Sequence, residues 1–359
     1  MTSRTLTAFP IPTPAAWLAL ALLALGRIFF LALPDAFIAY PETQAEYNFY
    51  KQDLRCQAMQ PEAQIIIQGT SRLELLQKLP LFEKRWHTKD RIVNVSQPLN
   101  TFWHMNLLLR RNPGLLNATE LWIMDVLPAQ ARVAWGFNEH DALFLRESTL
   151  IEKLRIRSAI HRMQALSDLI LPLWSHHHSA ANWARALRGL TATPQQQLDA
   201  ILAIDGNRLP DITGARTAFP EDPRLVRKMF AEVLYTPEQP ESQVQRVAFR
   251  ELLSRRPPDT HALLIHLPYR EDFATMLVEM GCISSKDEMR RFVEQADGPG
   301  VHVEWLENPD TLEFIDDDFA PDGIHATFSG IKKIEKHFAQ RYREWVPLPA
   351  EEVISAPQP

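Results

Sequence analysis

Gln64-Ile-Ile-Ile-Gln-Gly-Thr-Ser-Arg-Leu73 constrains the fold of this 359-residue chain more than any other segment. Ile65, Ile66 and Ile67 form an unbroken β-branched run, the pattern of a strand covered on both faces and hence of a parallel sheet. Gly69 permits a tight exit that a residue with a side chain would resist. Ser71 then opens a helix-like stretch, Ser71-Arg-Leu-Glu-Leu-Leu-Gln-Lys-Leu79. Open parallel sheets hold their ligands beyond the carboxyl ends of the strands. Ser71 is therefore a candidate nucleophile, with the N–H groups of the helix start available to an oxyanion. Capping a helix is the other common use of serine at such a position.

A second island lies near the far end of the chain, at Asp322-Gly-Ile-His325, ahead of an amphipathic stretch. It is the only Asp-x-x-His in the sequence, and Gly69-Thr-Ser71 is the only Gly-x-Ser. Three residues apart on a glycine-containing turn, the carboxylate can accept from His325 Nδ1 while Nε2 faces a nucleophile. Histidine then serves as general base and later as general acid, with Asp322 holding its tautomer. Alone, the island also fits a loop aspartate and a partly exposed histidine before a helix. The order Ser71, Asp322, His325 makes the combination specific.

These two blocks resemble the first and last blocks of the SGNH (GDSL-like) hydrolase superfamily. The helix expected after His325 fits as well, with Phe328, Ile331, Ile334, Phe338 and Tyr342 on one face. The resemblance covers about residues 60–130 and 255–345. It implies a three-layer α/β/α parallel sheet of flavodoxin-like type, with Ser71 as nucleophile, His325 as base and Asp322 as its partner. The intermediate blocks depart from the family pattern. Where a glycine usually follows the second strand, the chain reads Arg91-Ile-Val-Asn-Val-Ser-Gln-Pro98, placing Asn94 and Ser96 nearby. Where Gly-x-Asn-Asp usually follows the third, it reads Glu120-Leu-Trp-Ile-Met-Asp-Val-Leu-Pro128, with Asp125 and no asparagine. Asn94, Ser96 and Asp125 are the candidates for oxyanion or substrate contacts. Such departures resemble the membrane-anchored branch of the superfamily, the D-alanyl-transfer and alginate-acetylation type proteins that acylate cell-envelope polymers.

The amino terminus agrees with an envelope location. Ala15 to Leu33 is apolar except for Arg27 and is just long enough for a bilayer core of about 30 Å. Arg4 precedes it, and Asp35, Glu42 and Glu46 follow, which favours the amino terminus inside and the remainder outside. Arg27 costs roughly 2.5–3.5 kcal/mol near mid-membrane, which its long stem reduces by reaching towards the outer face. A signal peptide cleaved after Ala24-Leu-Gly26 and a buried helix are the competing readings. The expected organisation is a cytoplasmic tail (1–14), an anchor (15–34), a linker (35–60), the hydrolase-like domain (61–347) and a flexible tail (348–359).

Composition adds exclusions. A net charge of −6 with no basic run argues against nucleic acid. Two cysteines, Cys56 and Cys282, are too few for a cysteine-rich zinc site or a disulfide scaffold, and whether they pair is left open. Strands are expected at about 64–68, 91–95, 120–126, 261–267 and 300–306, and helices at about 71–79, 99–111, 284–295 and 327–343. This alternation is that of a parallel sheet with right-handed crossovers. Residues 129–257 interrupt it as a mostly helical insertion. It includes a long helical stretch around Ser148–Ser167 and a section rich in proline and charge, with Phe219-Pro-Glu-Asp-Pro223 and Pro237-Glu-Gln-Pro240.

Several other residues invite attention. His176-His-His178 reads as a solvated tract, because consecutive helical residues point about 100° apart and converge poorly on one ion. Trp174 and Trp183 read as core or partly buried residues. His266 and Arg270 follow the fourth expected strand within reach of the catalytic rim. Asp316, Asp317 and Asp318 offer either a second carboxylate near His325 or a solvated acidic turn.

The sequence therefore predicts a membrane-anchored serine esterase or acyltransferase, its domain outside the cytoplasm, acting on acyl esters of an envelope carbohydrate or polymer. A membrane acyltransferase is a candidate partner, and no metal or organic cofactor is implied. The rival readings are a non-catalytic assembly protein on a degenerate hydrolase fold and a secreted lipase or esterase.

Overall fold

Three consecutive isoleucines supply both faces of one strand, because successive side chains of a strand point to opposite sides. The computed structural model describes residues 13–32, 44–59, 63–76 except 75, 92–132 except 99, 142–170, 193, 196, 222–235 and 242–346. Its elements run α1 (Pro14–Ala32), α2 (Gln44–Met59), β1 (Ile65–Gln68), α3 (Ser71–Glu74), β2 (Ile92–Asn94), α4 (Phe102–Arg111) and β3 (Leu121–Asp125). A 3-10 turn, Pro128–Ala131, leads to α5 (Ala142–Glu147), α6 (Leu150–Leu154), α7 (Ala159–Ile170), α8 (Pro223–Tyr235) and α9 (Gln243–Ser254). The chain then returns through β4 (His261–His266), α10 (Glu271–Glu279), α11 (Ile283–Glu294), β5 (Val301–Trp305) and α12 (Phe328–Trp345).

The five strands form one parallel sheet in the order β2-β1-β3-β4-β5. Ile65 and Ile67 join Leu121, Ile123, Leu263 and Ile265 on one face, where Ile331, Ile334 and Phe338 of α12 cover them. Ile66 joins Trp122, Met124, Ala262 and Leu264 on the other, under residues of α4, α9 and α11. Each such aliphatic side chain contributes about 1.5–3 kcal/mol on burial. The result is the expected three-layer α/β/α arrangement. Gln68 is the polar exception in β1. Its side chain accepts from Trp122 Nε1 at 3.2 Å and donates to the Met105 carbonyl at 3.1 Å, so its burial leaves neither amide atom unpaired.

All five strands lie within a residue or two of their expected positions. The described part of 129–257 is helical apart from its turns. Its α9 docks on α4: Gln245 Oε1 accepts from the Trp103 N–H at 2.8 Å, and its amide donates to Thr101 Oγ1. The long helical stretch around Ser148–Ser167 is two helices. The chain breaks where Ile156 turns fully into the core and Ser158 bonds the His161 N–H at 3.4 Å, starting a new helix. Helix α3 is described only to Glu74, short of the expected 79. On α12, Ile331, Ile334, Phe338 and Tyr342 are buried as expected, but Phe328 lies outside the core, since it occupies the first turn.

Residues 35–60 were expected as a linker, yet Gln44–Met59 forms α2 and packs into the domain. Phe49, Tyr50, Leu54 and Cys56 are buried, and Asp53 accepts from Arg111 Nε at 2.8 Å and Asn112 Nδ2 at 2.8 Å. Cys56 and Cys282 are buried thiols and are not joined in a disulfide. At the amino terminus α1 coincides with the expected anchor, and Leu18, Leu20, Leu22, Leu25 and Ile28 are exposed. Among the described residues no helix is long and apolar enough to cross a membrane. Helix α1 reaches about 28 Å at about 1.5 Å per residue, and Arg27 interrupts its apolar run. His176–His178, Trp174, Trp183, Pro237, Pro240, residues 219–221 and most of both tails lie outside the described residues.

Candidate active site

The carboxyl ends of β1, β3 and β4 share one edge of the sheet, and the turn after β1 is built there around Gly69. A Cβ at this position would stand 2.3 Å from Asp125 Oδ1, so only glycine allows the strand end to approach β3 this closely. The Thr70 N–H donates to Asp125 Oδ1 at 2.7 Å, and Thr70 Oγ1 donates to Oδ2 at 2.5 Å. The Gly69 carbonyl accepts from the Gln97 N–H and from Asn100 Nδ2, both at 3.0 Å. These bonds fix the Gly69–Thr70 peptide unit and the Thr70 side chain directly before Ser71. The Ser71 N–H itself makes no hydrogen bond among the described residues.

The loop before α12 brings the other two groups. Gly323 adopts a left-handed φ of 72°, which favours glycine at that turn. Asp322 Oδ1 accepts from the Ile324 and His325 N–H groups, each at 2.9 Å, and Oδ2 lies 2.8 Å from His325 Nδ1. The loop is closed by Ala320 N–H to the His325 carbonyl at 2.7 Å and by Gly323 N–H to the Ala320 carbonyl at 2.9 Å. His325 Nε2 stands 2.8 Å from Ser71 Oγ. Asp322 and His325 are buried while Ser71 is partly open. Ser71, His325 and Asp322 thus form one continuous hydrogen-bonded relay with its open end at the serine. Burial is the largest influence on Asp322 and pushes its pKa up. The hydrogen bond and charge of His325, with the two backbone donors, outweigh it and bring the carboxyl down to about 2. It is a fixed anion facing the imidazole.

The other candidates lie at this edge in different roles. Asn94 Nδ2 donates to the Leu73 carbonyl at 2.9 Å, and its Oδ1 accepts from the Ser96 N–H at 2.9 Å. Ser96 is fully buried, and its carbonyl accepts from Gln52 Nε2. Asp125 is fully buried and holds Thr70; burial pushes its pKa up, against the two Thr70 hydrogen bonds and the charge of Arg72. Asn94 and Asp125 bond the backbone around Ser71. No contact joins any of the three to Ser71 Oγ.

His266 is buried beneath the site, stacked on Trp305 at 4.1 Å and bonded to Tyr269 OH at 2.8 Å. Arg270 reaches the Asp322–His325 loop: its N–H donates to the Gly323 carbonyl at 3.0 Å, and its guanidinium bonds Asp272 and the Pro321 carbonyl. Asp316–Asp318 form a 3-10 turn in which Asp318 accepts from Lys333 Nζ at 2.6 Å and the Ile315 N–H at 2.8 Å, which is where that carboxylate is spent.

Sequence reasoning missed three contributors. Arg72 is buried, donates to the Pro268 carbonyl at 2.8 Å and lies 4.8 Å over the Tyr269 ring, tying the serine turn to the segment after β4. Asn100 fixes the Gly69 carbonyl. Phe230 of α8 sets its ring edge-on to His325 with centroids 5.8 Å apart, so a side chain of the insertion lies against the imidazole. Residue identity next to Ser71 hinted at Arg72, whereas no local pattern pointed to Phe230. A small cleft lined by Arg132, Arg246, Ser285 and Glu288 involves none of the relay residues. Among the described residues no group of three or more His, Cys, Asp or Glu side chains is arranged to hold a metal ion. No known family model matches the chain, and no curated protein matches it significantly.

Proposed function

We propose that the chain is a serine esterase or acyltransferase of the SGNH type, acting on acyl esters of an envelope carbohydrate or polymer. The observation that carries this reading is the relay from Ser71 Oγ through the His325 ring to Asp322, with 2.8 Å at each link. In this mechanism His325 Nε2 takes the proton of Ser71 Oγ as the oxygen attacks the acyl carbonyl. Asp322 holds Nδ1–H and favours the imidazolium that forms. The Ser71 N–H, without another acceptor among the described residues, receives the developing oxyanion. Collapse expels the alcohol, which takes its proton from His325 and leaves an acyl-serine. A second alcohol or water, deprotonated by His325, then releases the acyl group and restores Ser71. Phe230 over His325 limits the approach of water and so favours transfer to an organic acceptor.

The proposed location is the cell envelope, with α1 tethering the chain to the membrane and the sheet domain outside the cytoplasm. The exposed leucines of α1 and the acidic residues that follow it support this placement. A membrane acyltransferase is the proposed acyl source.

A serine-directed fluorophosphonate tests the chemistry. The expected result is one adduct, located on Ser71 by peptide mass analysis and absent from Ser71→Ala. The reading fails if the folded chain is never labelled. Acylation in cells that survives both Ser71→Ala and His325→Ala supports the non-catalytic assembly protein instead. Fast hydrolysis of small esters that an added acceptor alcohol does not divert supports a plain esterase.

A further inference from the structure

The insertion carries an exposed apolar surface separate from that of α1. Helices α6 and α7 pack on one another, and each presents one exposed apolar stripe. On α6 it consists of Leu150, Ile151 and Leu154; on α7 of Ile160, Met163 and Ile170, at helical spacing. Exposure runs from 50% at Leu154 to 72% at Ile160. Isolated exposed aliphatic residues are ordinary, but six on one helical pair mark an interaction surface.

Charge on the pair is segregated in a way that identifies the partner. Its two carboxylates face inward: Glu152 is buried against Arg110 and Trp103, and Asp168 is also buried. Arg157 is exposed, Arg155 and Arg162 are half-buried, and none of the three makes an ion pair among the described residues. A chain with net charge −6 thus shows solvent an apolar double stripe whose unpaired charges, among the described residues of the pair, are the arginines. A self-complementary contact with a second copy would set these arginines against one another. An anionic bilayer satisfies both features, since its acyl region takes the aliphatic side chains and its headgroups pair the guanidinium groups.

We propose that the α6–α7 pair is an interfacial membrane-docking element that lies in the headgroup region of an anionic bilayer. It adds a contact separate from any tether by α1, and it stands independently of the acyl-transfer reading.

The test uses the full-length chain carrying Met163→Cys, labelled with an environment-sensitive fluorophore. Both native thiols are buried, so the introduced cysteine is the accessible one. Asp297→Cys, on an exposed turn before β5, serves as the comparison site. Vesicles are phosphatidylcholine with or without phosphatidylglycerol, some containing nitroxide-labelled lipid. The expected result is a blue shift and nitroxide quenching at position 163 with anionic vesicles, and neither at position 297. Because the readout is local, tethering by α1 alone does not produce it. Replacing Arg155, Arg157 and Arg162 by Gln should weaken the dependence on phosphatidylglycerol by roughly fivefold per arginine. Circular dichroism verifies that each variant remains folded. A label at 163 that stays in water while the chain is vesicle-bound overturns the proposal, as does a chain that never binds. A blue shift that grows with protein concentration without vesicles also overturns it and identifies the surface as a contact between copies.

Discussion

Ser71 Oγ and His325 Nε2 lie 2.8 Å apart although 254 positions separate the two residues in sequence. The contact exists because the exit of β1 and the loop entering α12 meet at one edge of the sheet. If this relay performs acyl transfer, Ser71→Ala should abolish fluorophosphonate labelling and lower turnover by roughly 10⁶-fold. The fold should survive, at a cost of about 2 kcal/mol or less. His325→Ala should impair the same step, and the double variant should lose little more than either single one, because the two residues serve one proton transfer. Turnover of the three variants beside the parent, with denaturation curves for each, checks this. Equal labelling of the parent and Ser71→Ala would remove Ser71 as nucleophile.

Gly69 offers a test of how the Ser71 turn is held. An added Cβ meets Asp125 Oδ1 at 2.3 Å, and that carboxylate is buried between two bonds to Thr70. Gly69→Ala should therefore push β1 from β3 and destabilise the protein by about 1–3 kcal/mol. Turnover should fall further than the loss of folded protein explains. Asp125→Asn keeps an acceptor for the Thr70 N–H and should be milder than Asp125→Ala, which leaves that donor buried and unpaired. Similar stabilities for Asp125→Asn and Asp125→Ala would show that the Thr70 bonds contribute little.

The readable parts of this molecule were those with local causes. Parallel strands buried on both faces must be apolar throughout, so Ile65–Ile67, Trp122–Met124 and Leu263–Ile265 declared themselves. Asp322-x-x-His325 was legible because its hydrogen bond spans one turn. Helix α2 was not, since it buries polar residues such as Asn48, Gln52 and Asp53, whose partners lie far along the chain. Asn94 and Asp125 were located at the correct strand ends, yet their bonds go to Leu73, Ser96 and Thr70, which no spacing rule encodes. Phe230 reaches His325 only because α8 folds back over the sheet edge.

Phe230 supplies a prediction about the choice between water and an alcohol. Its ring is edge-on to His325 at 5.8 Å. Phe230→Ala should cost about 1–3 kcal/mol in stability and lower turnover less than tenfold, since the relay stays intact. Its main effect should be a rise in hydrolysis relative to transfer to an added alcohol, measured by quantifying both products from one acyl donor. An unchanged product ratio would limit Phe230 to packing.

Asp322 links the site to the acid limb of stability. Its carboxyl is held at about 2 in the folded chain, against about 3.9 in an unfolded one. A carboxyl depressed by folding releases its proton more readily when native, so the unfolded chain binds more protons between those values and stability falls as pH falls. The contribution of Asp322 is complete above about pH 4 and is lost towards pH 2. Asp322→Asn removes the titration while keeping an acceptor for the Ile324 and His325 N–H groups. The parent should therefore exceed Asp322→Asn in stability at pH 5 by the largest margin, and the gap should narrow steadily on acidification. Urea denaturation of both proteins at intervals across this range measures the gap. A constant difference would mean that Asp322 titrates alike in the folded and unfolded chains, and the charge-assisted bond to His325 would then have no energetic weight. Turnover at neutral pH provides the second readout, because an amide at position 322 holds the imidazole in the wrong tautomer. The loss should approach 10⁴-fold, on the order found for such exchanges.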